Sequence, residues 1–294
     1  MAKAKAKTKT QEETQEPKIF ILVDTSYWIF YRYYAISQWW GHSNPETPLT
    51  NPYENIEFVE KFMKTFNESL EGFKKKQKIH KKKTTIIAVR DCPRASIWRN
   101  NLYSDYKATR DKATRDKGDE FGGAPFFKHI YQDANKLLYE AGANAILQFP
   151  NLEADDVIAL TKNYIRNKYV DAQIYIIAND HDYLQLLDEH TEIVNFQNKF
   201  LKEASKVFRE PEKNLFYKIV LGDKSDNINP IFKKCGPKTC ETYYENNELF
   251  LEALKKENAY EKYELNKKLV DFRELPDELV SKFLAENDEL LAKL

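Results

Sequence analysis

The chain has 294 residues, 42% hydrophobic and 14% aromatic, so it is long and apolar enough to bury a sizeable core. Its 46 basic and 46 acidic residues cancel, which at first argues against a nucleic-acid ligand. Because no apolar run approaches the roughly 18 residues of a membrane span, we expect that the chain is not a membrane protein. The cysteines Cys92, Cys235 and Cys240 form no C-x-x-C pair. We therefore expect a reducing intracellular setting, without a disulfide framework or a zinc site.

The order of predicted elements indicates an α/β protein. Residues 1–17 are charged and poor in large apolar side chains, which predicts a disordered basic and polar tail. Runs of β-forming residues then alternate with helical patterns, as in a mostly parallel sheet flanked by helices. The predicted strands are 18–23, 84–90, 145–149, 173–178 and 191–196, and the predicted helices are 27–40, 126–141, 156–168 and one that starts at 179–182.

The pattern divides the chain into two parts behind the tail. An α/β domain is expected over 18–205, with a long crossing segment at about 95–135. Residues 206–294 show no clear strand pattern and are predicted to be helical, with a turn at 222–239. The crossing segment contains the tandem repeat KATRD KATRD at 107–116, which is too short for a solenoid.

Acidic residues recur where predicted strands end, which is the ligand-binding edge of an open parallel sheet. Three of them directly follow a strand, three more follow the strand at 145–149, and the others lie close behind. These nine are Asp24, Asp91, Glu153, Asp155, Asp156, Asp180, Asp182, Asp223 and Asp226. Without them, 46 basic residues face 37 acidic ones, so a neutral total is compatible with a basic surface around an acidic pit.

Each acidic segment alone also has a structural explanation. Asp24 suits a helix cap, the triplet at 153–156 suits a helix N-terminus, and Asp223 and Asp226 suit a loop. Such explanations do not account for all nine acids gathered in one place, because two unit charges about 4 Å apart repel by roughly 4 kcal/mol at an effective dielectric of 20. Hard cations with oxygen ligands, Mg²⁺ or Mn²⁺, would relieve this repulsion. His181 lies between two of these acids, and we expect its side chain to face elsewhere.

With these residues in place, the chain resembles the 5′-nuclease family, which includes flap endonucleases, phage 5′–3′ exonucleases and the 5′-nuclease domain of bacterial DNA polymerase I. The resemblance extends from about residue 19 to 239. Its segments are Ile21-Leu-Val-Asp24-Thr-Ser, Tyr106-Lys-Ala-Thr-Arg110, Glu153-Ala-Asp-Asp-Val157, Asn179-Asp-His-Asp182 and Leu221-Gly-Asp-Lys-Ser-Asp-Asn-Ile228. It implies a PIN-like α/β fold with a helical arch over about 95–135 and a C-terminal, helix–two-turn–helix DNA-binding region.

The resemblance also implies the chemistry. Two Mg²⁺ or Mn²⁺ ions would be held, the first by Asp24, Asp91, Glu153, Asp155 and Asp156, the second by Asp180, Asp182, Asp223 and Asp226. The enzyme would then be a metal-dependent 5′–3′ exonuclease and flap endonuclease of replication or repair. Its substrates would be 5′ flaps, nicked or gapped duplex and RNA–DNA primer junctions. Lys107 and Arg110 would be catalytic. DNA contacts would come from Arg32, Tyr106 (stacking on a terminal base), Lys112, Arg115, Lys238 and Thr239.

The chain departs from the family pattern at two places. Thr25 stands where the family usually has Gly after the first Asp, and the turn at 229–239 keeps only Gly236 of the usual glycines. The duplex grip and the K⁺ site of that turn are therefore open questions. The basic run at 74–83 suits either a duplex contact or a solvated loop. A PIN-like ribonuclease and a non-catalytic structure-specific DNA-binding protein are the alternative functions, and we expect a monomer.

Overall fold

The computed structural model describes residues 17–108 and 124–294. Five parallel strands form one sheet: β1 Ile19–Asp24, β2 Thr84–Val89, β3 Ala145–Leu147, β4 Gln173–Ile177 and β5 Thr191–Val194. Their order is β3-β2-β1-β4-β5, so the direction of winding reverses between β1 and β4. In such a sheet, the crevice at this reversal is the expected ligand site. The α/β class and the parallel sheet are confirmed.

Some of the helices cover the two faces of the sheet, and others pack together in a separate apolar cluster. Before β4 these are α1 Thr25–Ser43, α2 Ile56–Asn67, α3 Ser69–Lys76, α4 Ala124–Gln132, α5 Ala134–Glu140 and α6 Ala154–Lys168. After β5 they are α7 Pro211–Leu221, α8 Pro237–Glu245, α9 Asn247–Lys256, α10 Tyr260–Val270, α11 Asp277–Glu286 and α12 Asp288–Ala292. Within the described ranges, no helix combines the length and apolar composition needed to cross a membrane.

The buried core has one layer on each side of the sheet. On one side, α6 packs with Phe283 and Leu291 from the last two helices. On the other side, Trp28 of α1 stacks on Phe66 of α2 with ring centroids 4.1 Å apart. The strands are mainly apolar, with fully buried runs at 19–23 and 86–89, as expected when both faces of a parallel sheet are covered. Helices α11 and α12 therefore return to the sheet, although they belong to the predicted C-terminal region, and the proposed boundary at 205/206 stays a prediction.

Two predicted helices differ from the structure. The helix predicted over 126–141 is two helices, because Asp133 between them leaves helical backbone geometry with φ −112° and ψ 24°. The helix predicted from 179–182 is a short 3-10 segment, His181–Leu186, which ends where Leu187 becomes extended. Residues 1–16 of the predicted tail lie outside the described residues, as does part of the predicted arch, 109–123.

Candidate metal centre

The carboxyl ends of β1 and β2 present two of the predicted acids to one edge of the sheet. Asp24 ends β1 and caps α1, accepting from the Tyr27 amide at 2.9 Å and from the Tyr183 hydroxyl at 2.9 Å. Asp91 follows β2 and accepts from the Ala154 amide at 2.9 Å, at the start of α6. Its other oxygen accepts from the Ser26 hydroxyl at 2.6 Å. Capping and clustering are thus compatible roles for Asp24.

A first acidic group forms at the N-terminus of α6. It consists of Glu153, Asp155 and Asp156, each of which offers a carboxylate oxygen within 4.8 Å of the others. Glu153 and Asp156 also form a reciprocal capping box at this helix start. The helix dipole favours negative charge here, but each such charge gains only about 0.3–1 kcal/mol. This gain is too small to offset the mutual repulsion of three nearby carboxylates.

The carboxylates at this edge hold more negative charge than the surrounding cations neutralise. Burial, with Asp91 adding repulsion, raises the pKa of Asp24 to about 7. Burial, with repulsion from Asp156 and Glu153, raises the pKa of Asp155 well above its ordinary value. Burial also opposes ionisation of Glu153, but Lys107 and Arg99 outweigh it and lower the pKa of that side chain. The site therefore favours an additional cation near Asp24 and Asp155.

A second acidic group lies between the 3-10 segment and the end of α7. It consists of Asp182, Asp223 and Asp226, again with carboxylate oxygens within 4.8 Å. Lys218 of α7 forms ion pairs with Asp182 and, at 2.8 Å, with Asp223. Burial opposes ionisation of Asp223, but Lys218 outweighs it and lowers the pKa to about 2.

The loop of the second group depends on Gly222, which ends α7 at φ +72°. A Cβ at this position would lie 2.4 Å from the Ile228 carbonyl oxygen. The backbone of Gly222 lies this close to the Ile228 carbonyl because Asp223 and Ile228 exchange backbone hydrogen bonds of 2.9 and 2.7 Å. The glycine thus permits the tight loop that presents Asp223 and Asp226.

Two neighbouring side chains connect the acidic groups. Tyr106 donates its hydroxyl to Glu153 at 2.9 Å and to Asp226 at 3.3 Å. Lys107 forms an ion pair with Glu153 and lies 3.6 Å from an oxygen of Asp226. Burial lowers the pKa of Lys107, but Glu153 and Asp226 outweigh this and raise it above the ordinary value, so the side chain stays charged. The structure brings these predicted residues together in one site.

The position of Tyr106 corrects one expectation. We expected its ring to stack on a terminal base, but the side chain is only 5% exposed and lies beneath the acids. It packs with Leu269 and Val270 in a separate apolar cluster. In this conformation Tyr106 orients carboxylates and offers no open face to a base.

Asp180 and His181 lie at the open side of the site. Asp180 is exposed, accepts from the Asp182 amide at 3.1 Å and contributes to the raised pKa of Asp24. His181 is exposed and lines a cavity of about 560 Å³ beside Asp180 and Asp223. Because this cavity also borders two of the acids, the expectation that His181 faces away from them stays a prediction.

The predicted DNA-binding residues are spread more widely. Arg32 packs over the rings of Tyr31 and Phe196, at 5.3 and 5.6 Å, and lines a cavity of about 220 Å³ with Lys76 of the basic run. Lys238 is exposed and Thr239 half-buried on the first turn of α8. Their roles stay predictions. The predicted residues Arg110, Lys112 and Arg115 lie outside the described residues.

Two basic residues of the site were missed by the sequence analysis, Arg99 and Lys218. Arg99 is 2% exposed and donates to Asp156 at 2.7 and 2.8 Å and to Glu153 at 3.0 Å. Lys218 could have been identified from its position about one and a half helical turns before Asp223, which would place it near that acid. The signal for Arg99 was weaker, because it is the second of two arginines, Arg94 and Arg99, that follow Asp91. Neither position has a motif that separates it from surface lysines and arginines.

The donor set fits a hard divalent cation. The candidate ligands of both groups are carboxylates, which Mg²⁺ and Mn²⁺ prefer. The pKa of about 7 at Asp24 is an independent sign, since a nearby cation would remove the cost of ionising this carboxyl. Asp156 is the exception within the first group. It is fully buried and its two oxygens accept from Arg99, Trp98 and the Glu153 amide.

Comparison with known proteins identifies relatives over the same region. Residues 19–213 match the family model described as 5′-3′ exonuclease, N-terminal resolvase-like domain. A 5′-3′ exonuclease of Aquifex aeolicus (strain VF5) is 31% identical over 158 residues, which are 52% of this chain and 50% of that protein. The chain thus spans about half the length of this curated relative.

Solved structures show the same fold over nearly the whole chain. The T5 D15 protein co-crystallised with metal ions matches with a TM-score of 0.65 and 16% identity, covering 93% of this chain and 99% of that one. A bacteriophage T5 D15 flap endonuclease in a pseudo-enzyme-product complex with DNA and metal ions matches with a TM-score of 0.61 and 16% identity. It covers 94% of this chain and 100% of that one.

Proposed function

The chain belongs to the 5′–3′ exonuclease family with an N-terminal resolvase-like domain, and on this premise we propose that it is a divalent-metal-dependent 5′ nuclease that hydrolyses DNA phosphodiesters. The observation that carries this proposal is the pair of acidic groups joined by Tyr106 and Lys107 at the carboxyl edge of the sheet. The names of the relatives and the DNA and metal ions of the T5 complex support it.

The proposed site holds two Mg²⁺ or Mn²⁺ ions. Asp24, Asp91, Glu153 and Asp155 would serve the first ion, and Asp180, Asp182, Asp223 and Asp226 the second. Asp156 is better assigned to orienting Arg99, since its oxygens already accept four hydrogen bonds. When bound, such ions supply a nucleophilic water of lowered pKa and stabilise the charge on the leaving oxygen.

The side chains of this protein would perform the remaining tasks. Lys107 keeps its proton because Glu153 and Asp226 stabilise the ammonium, so it would hold a phosphate oxygen by charge and hydrogen bonding. Arg110 would act beside it. Arg32, Lys238 and Thr239 would bind backbone phosphates on either side, with Lys112 and Arg115 on the arch. Binding through these contacts should weaken steeply with added salt.

We propose that the enzyme acts on 5′ ends, as a 5′–3′ exonuclease and a flap endonuclease, on flapped, nicked or gapped DNA and at primer junctions. We also propose that it acts as a monomer. A PIN-like ribonuclease is the weaker candidate, because it needs about four acids, whereas this site gathers a second acidic group as well. A non-catalytic DNA-binding protein would have no use for acids whose ionisation is costly.

The test is a cleavage assay with matched substrates. The purified chain is incubated with a 5′-labelled DNA flap, a blunt duplex and an RNA single strand, with Mg²⁺ or with EDTA. The proposal predicts short 5′ products from the flap in Mg²⁺ alone. Cleavage that persists in EDTA contradicts the metal centre, and preferred cleavage of RNA supports the ribonuclease. Binding of the flap without cleavage in Mg²⁺ supports the non-catalytic alternative.

A further inference from the structure

Residues 269–272, at the end of α10 and just after it, contact the segments that hold both acidic groups. The stretch is largely buried, with Leu269 and Val270 at 3% exposure and Asp271 at 1%. It lies beyond the residues matched by the family model, which end at 213. We call residues 269–272 the bridge segment.

The first connection runs through Arg99. Its Nε donates to the Leu269 carbonyl at 2.8 Å, while its two terminal nitrogens donate to Glu153 and Asp156. The guanidinium also lies 4.7 Å from the ring centroid of Trp98, whose indole N–H donates to Asp156 at 3.1 Å. One planar group is thus fixed on three sides, and its position relative to α10 sets the position of the first acidic group.

The second connection runs through Gln185. Its side-chain amide donates to the Val270 carbonyl at 3.0 Å and accepts from the Phe272 amide at 2.9 Å. Gln185 belongs to the 3-10 segment that begins directly after Asp180 and contains Asp182. The reciprocal pair therefore fixes the 3-10 segment against the same bridge segment whose Leu269 carbonyl accepts from Arg99.

Apolar packing reinforces both connections. Leu269 and Val270 share a buried cluster with Tyr106, with Cys92 next to Asp91, and with Ile228 of the second acidic loop. A displacement of the bridge segment would therefore be felt at both acidic groups. Because hydrogen bonds behind metal ligands fix their orientation, their loss typically weakens metal affinity roughly 10-fold to 100-fold.

We propose that Arg99 and Gln185 are positioning residues through which the bridge segment orders the two acidic groups for cation binding. Neither residue needs to touch substrate for this role. The proposal rests on the metal-centre part of the proposed function. The proposal adds the bridge segment to that metal centre, although this segment lies outside the motifs of the nuclease domain.

The main experiment compares Arg99→Lys with Arg166→Lys in the full chain. Lysine keeps the charge but lacks the planar guanidinium, whose separate nitrogens reach Leu269, Glu153 and Asp156 at the same time. Arg166 is the control, because its guanidinium likewise joins backbone carbonyls, those of Val170 and Ala172, to a carboxylate, Asp188, but lies away from the acidic groups. Mn²⁺ binding is measured by electron paramagnetic resonance. KM and kcat are measured with the DNA flap as substrate, and Tm is measured in EDTA.

Arg99→Lys should weaken Mn²⁺ binding by roughly 10-fold or more, with kcat reduced and KM for DNA within about twofold. Arg166→Lys should lower Tm without changing Mn²⁺ affinity. Equal Mn²⁺ affinity in Arg99→Lys and wild type would overturn the proposal. So would a raised KM with unchanged metal affinity, which would make Arg99 a DNA contact. Mn²⁺ binding without DNA cleavage in the wild type would refute the nuclease function and leave this proposal testable.

A second measurement needs no variant at the arginine. Coupling between sites is reciprocal, so Mg²⁺ should slow amide exchange of the bridge segment in the wild-type chain. Hydrogen exchange with mass spectrometry would follow a peptide spanning residues 269–272, with and without Mg²⁺. Gln185→Ala should reduce that protection and weaken Mn²⁺ binding. Exchange that is indifferent to Mg²⁺ would contradict the coupling even if Arg99→Lys failed to fold.

Discussion

The two acidic groups contain the same residue types but differ in how their charge is balanced. The first, with Asp24 and Asp91 beside it, faces Arg99 and Lys107, yet Asp24 and Asp155 keep raised pKa values. In the second, Lys218 pairs with two of the carboxylates, and the pKa of Asp223 falls to about 2. The first group therefore needs an added cation, whereas the second already has one supplied by the protein.

This difference has a consequence for cation binding. An incoming ion gains more where carboxylates are buried without enough counter-charge, and less where it must compete with an ammonium group. We therefore expect the first Mn²⁺ to bind more tightly than the second. The following predictions test or sharpen this contrast.

The largest effect is expected at Asp155, which lies in the first group and has a raised pKa. Asp155→Asn should reduce cleavage of a DNA flap by roughly 1,000-fold or more, since a metal ion supplies several kcal/mol to such a reaction and each 1.36 kcal/mol is tenfold in rate. Binding of the flap, measured by fluorescence anisotropy in Ca²⁺, should stay within a few-fold of wild type. Retention of full turnover would show that the first group is not the metal centre.

A smaller effect is expected at Lys107, which joins the groups. Lys107→Ala should lower kcat by roughly 100-fold, the range seen when one donor to a developing charge is removed, and should change KM much less. The matched control is the exposed Lys238, where Lys238→Ala should weaken DNA binding and reduce the salt slope by about 1. Equal losses of kcat and affinity in Lys107→Ala would indicate simple tethering of DNA.

The internal cation of the second group provides a sharper test. Lys218→Met removes the ammonium that pairs with Asp182 and Asp223. The second Mn²⁺ should then bind roughly tenfold more tightly, since one nearby unit charge contributes on the order of 1 kcal/mol even in water. Isothermal titration calorimetry should show the second binding step approaching the first. A weaker second step would mean that Lys218 supports the metal geometry and does not compete with the ion.

The smallest effects concern stability in EDTA. Native Asp24 keeps its proton up to about pH 7, whereas an unfolded aspartate releases it near 3.8. The native state then binds more protons in this window, so the free energy of unfolding falls as pH rises through it. Asp24→Asn should therefore raise Tm by several degrees at pH 8, given a cost of a few kcal/mol, and by almost nothing at pH 4.

Asp223 provides the opposite control for that measurement. Its native pKa of about 2 lies below the ordinary 3.8, so the ionised form contributes stability above about pH 4 that is lost as pH falls through 2. Asp223→Asn should lower Tm in EDTA at pH 8. If both asparagine variants shifted Tm in the same direction at pH 8, the contrast between the groups would be wrong.

The sequence predicted the strand-end acids well because the signal is local. An apolar run followed by a carboxylate places Asp24, Asp91 and Asp180 at one edge of any parallel sheet. The order of the strands was not predicted, since the reversal between β1 and β4 depends on how distant segments pair. The break at Asp133 and the 3-10 form of 181–186 were also not predictable from apolar spacing.

The counter-ions could not be predicted for a different reason. Arg99 meets Asp156 across 57 residues and a backbone carbonyl of α10 across 170. Because every residue has a backbone carbonyl, the sequence does not indicate that the carbonyl of Leu269 accepts this hydrogen bond. Tyr106 was misplaced because an aromatic ring next to a lysine has the same pattern whether it faces DNA or lies beneath a carboxylate.

The backbone at Gly222 has a consequence for mutational tolerance. Every other amino acid would bring a carbon into the space of a main-chain oxygen, at a backbone angle that L-residues rarely adopt. In a saturation library selected for activity, codon 222 should therefore return glycine almost alone, although it encodes no functional group. The neighbouring Lys224, by contrast, lies in the same loop with an exposed side chain and should accept many replacements.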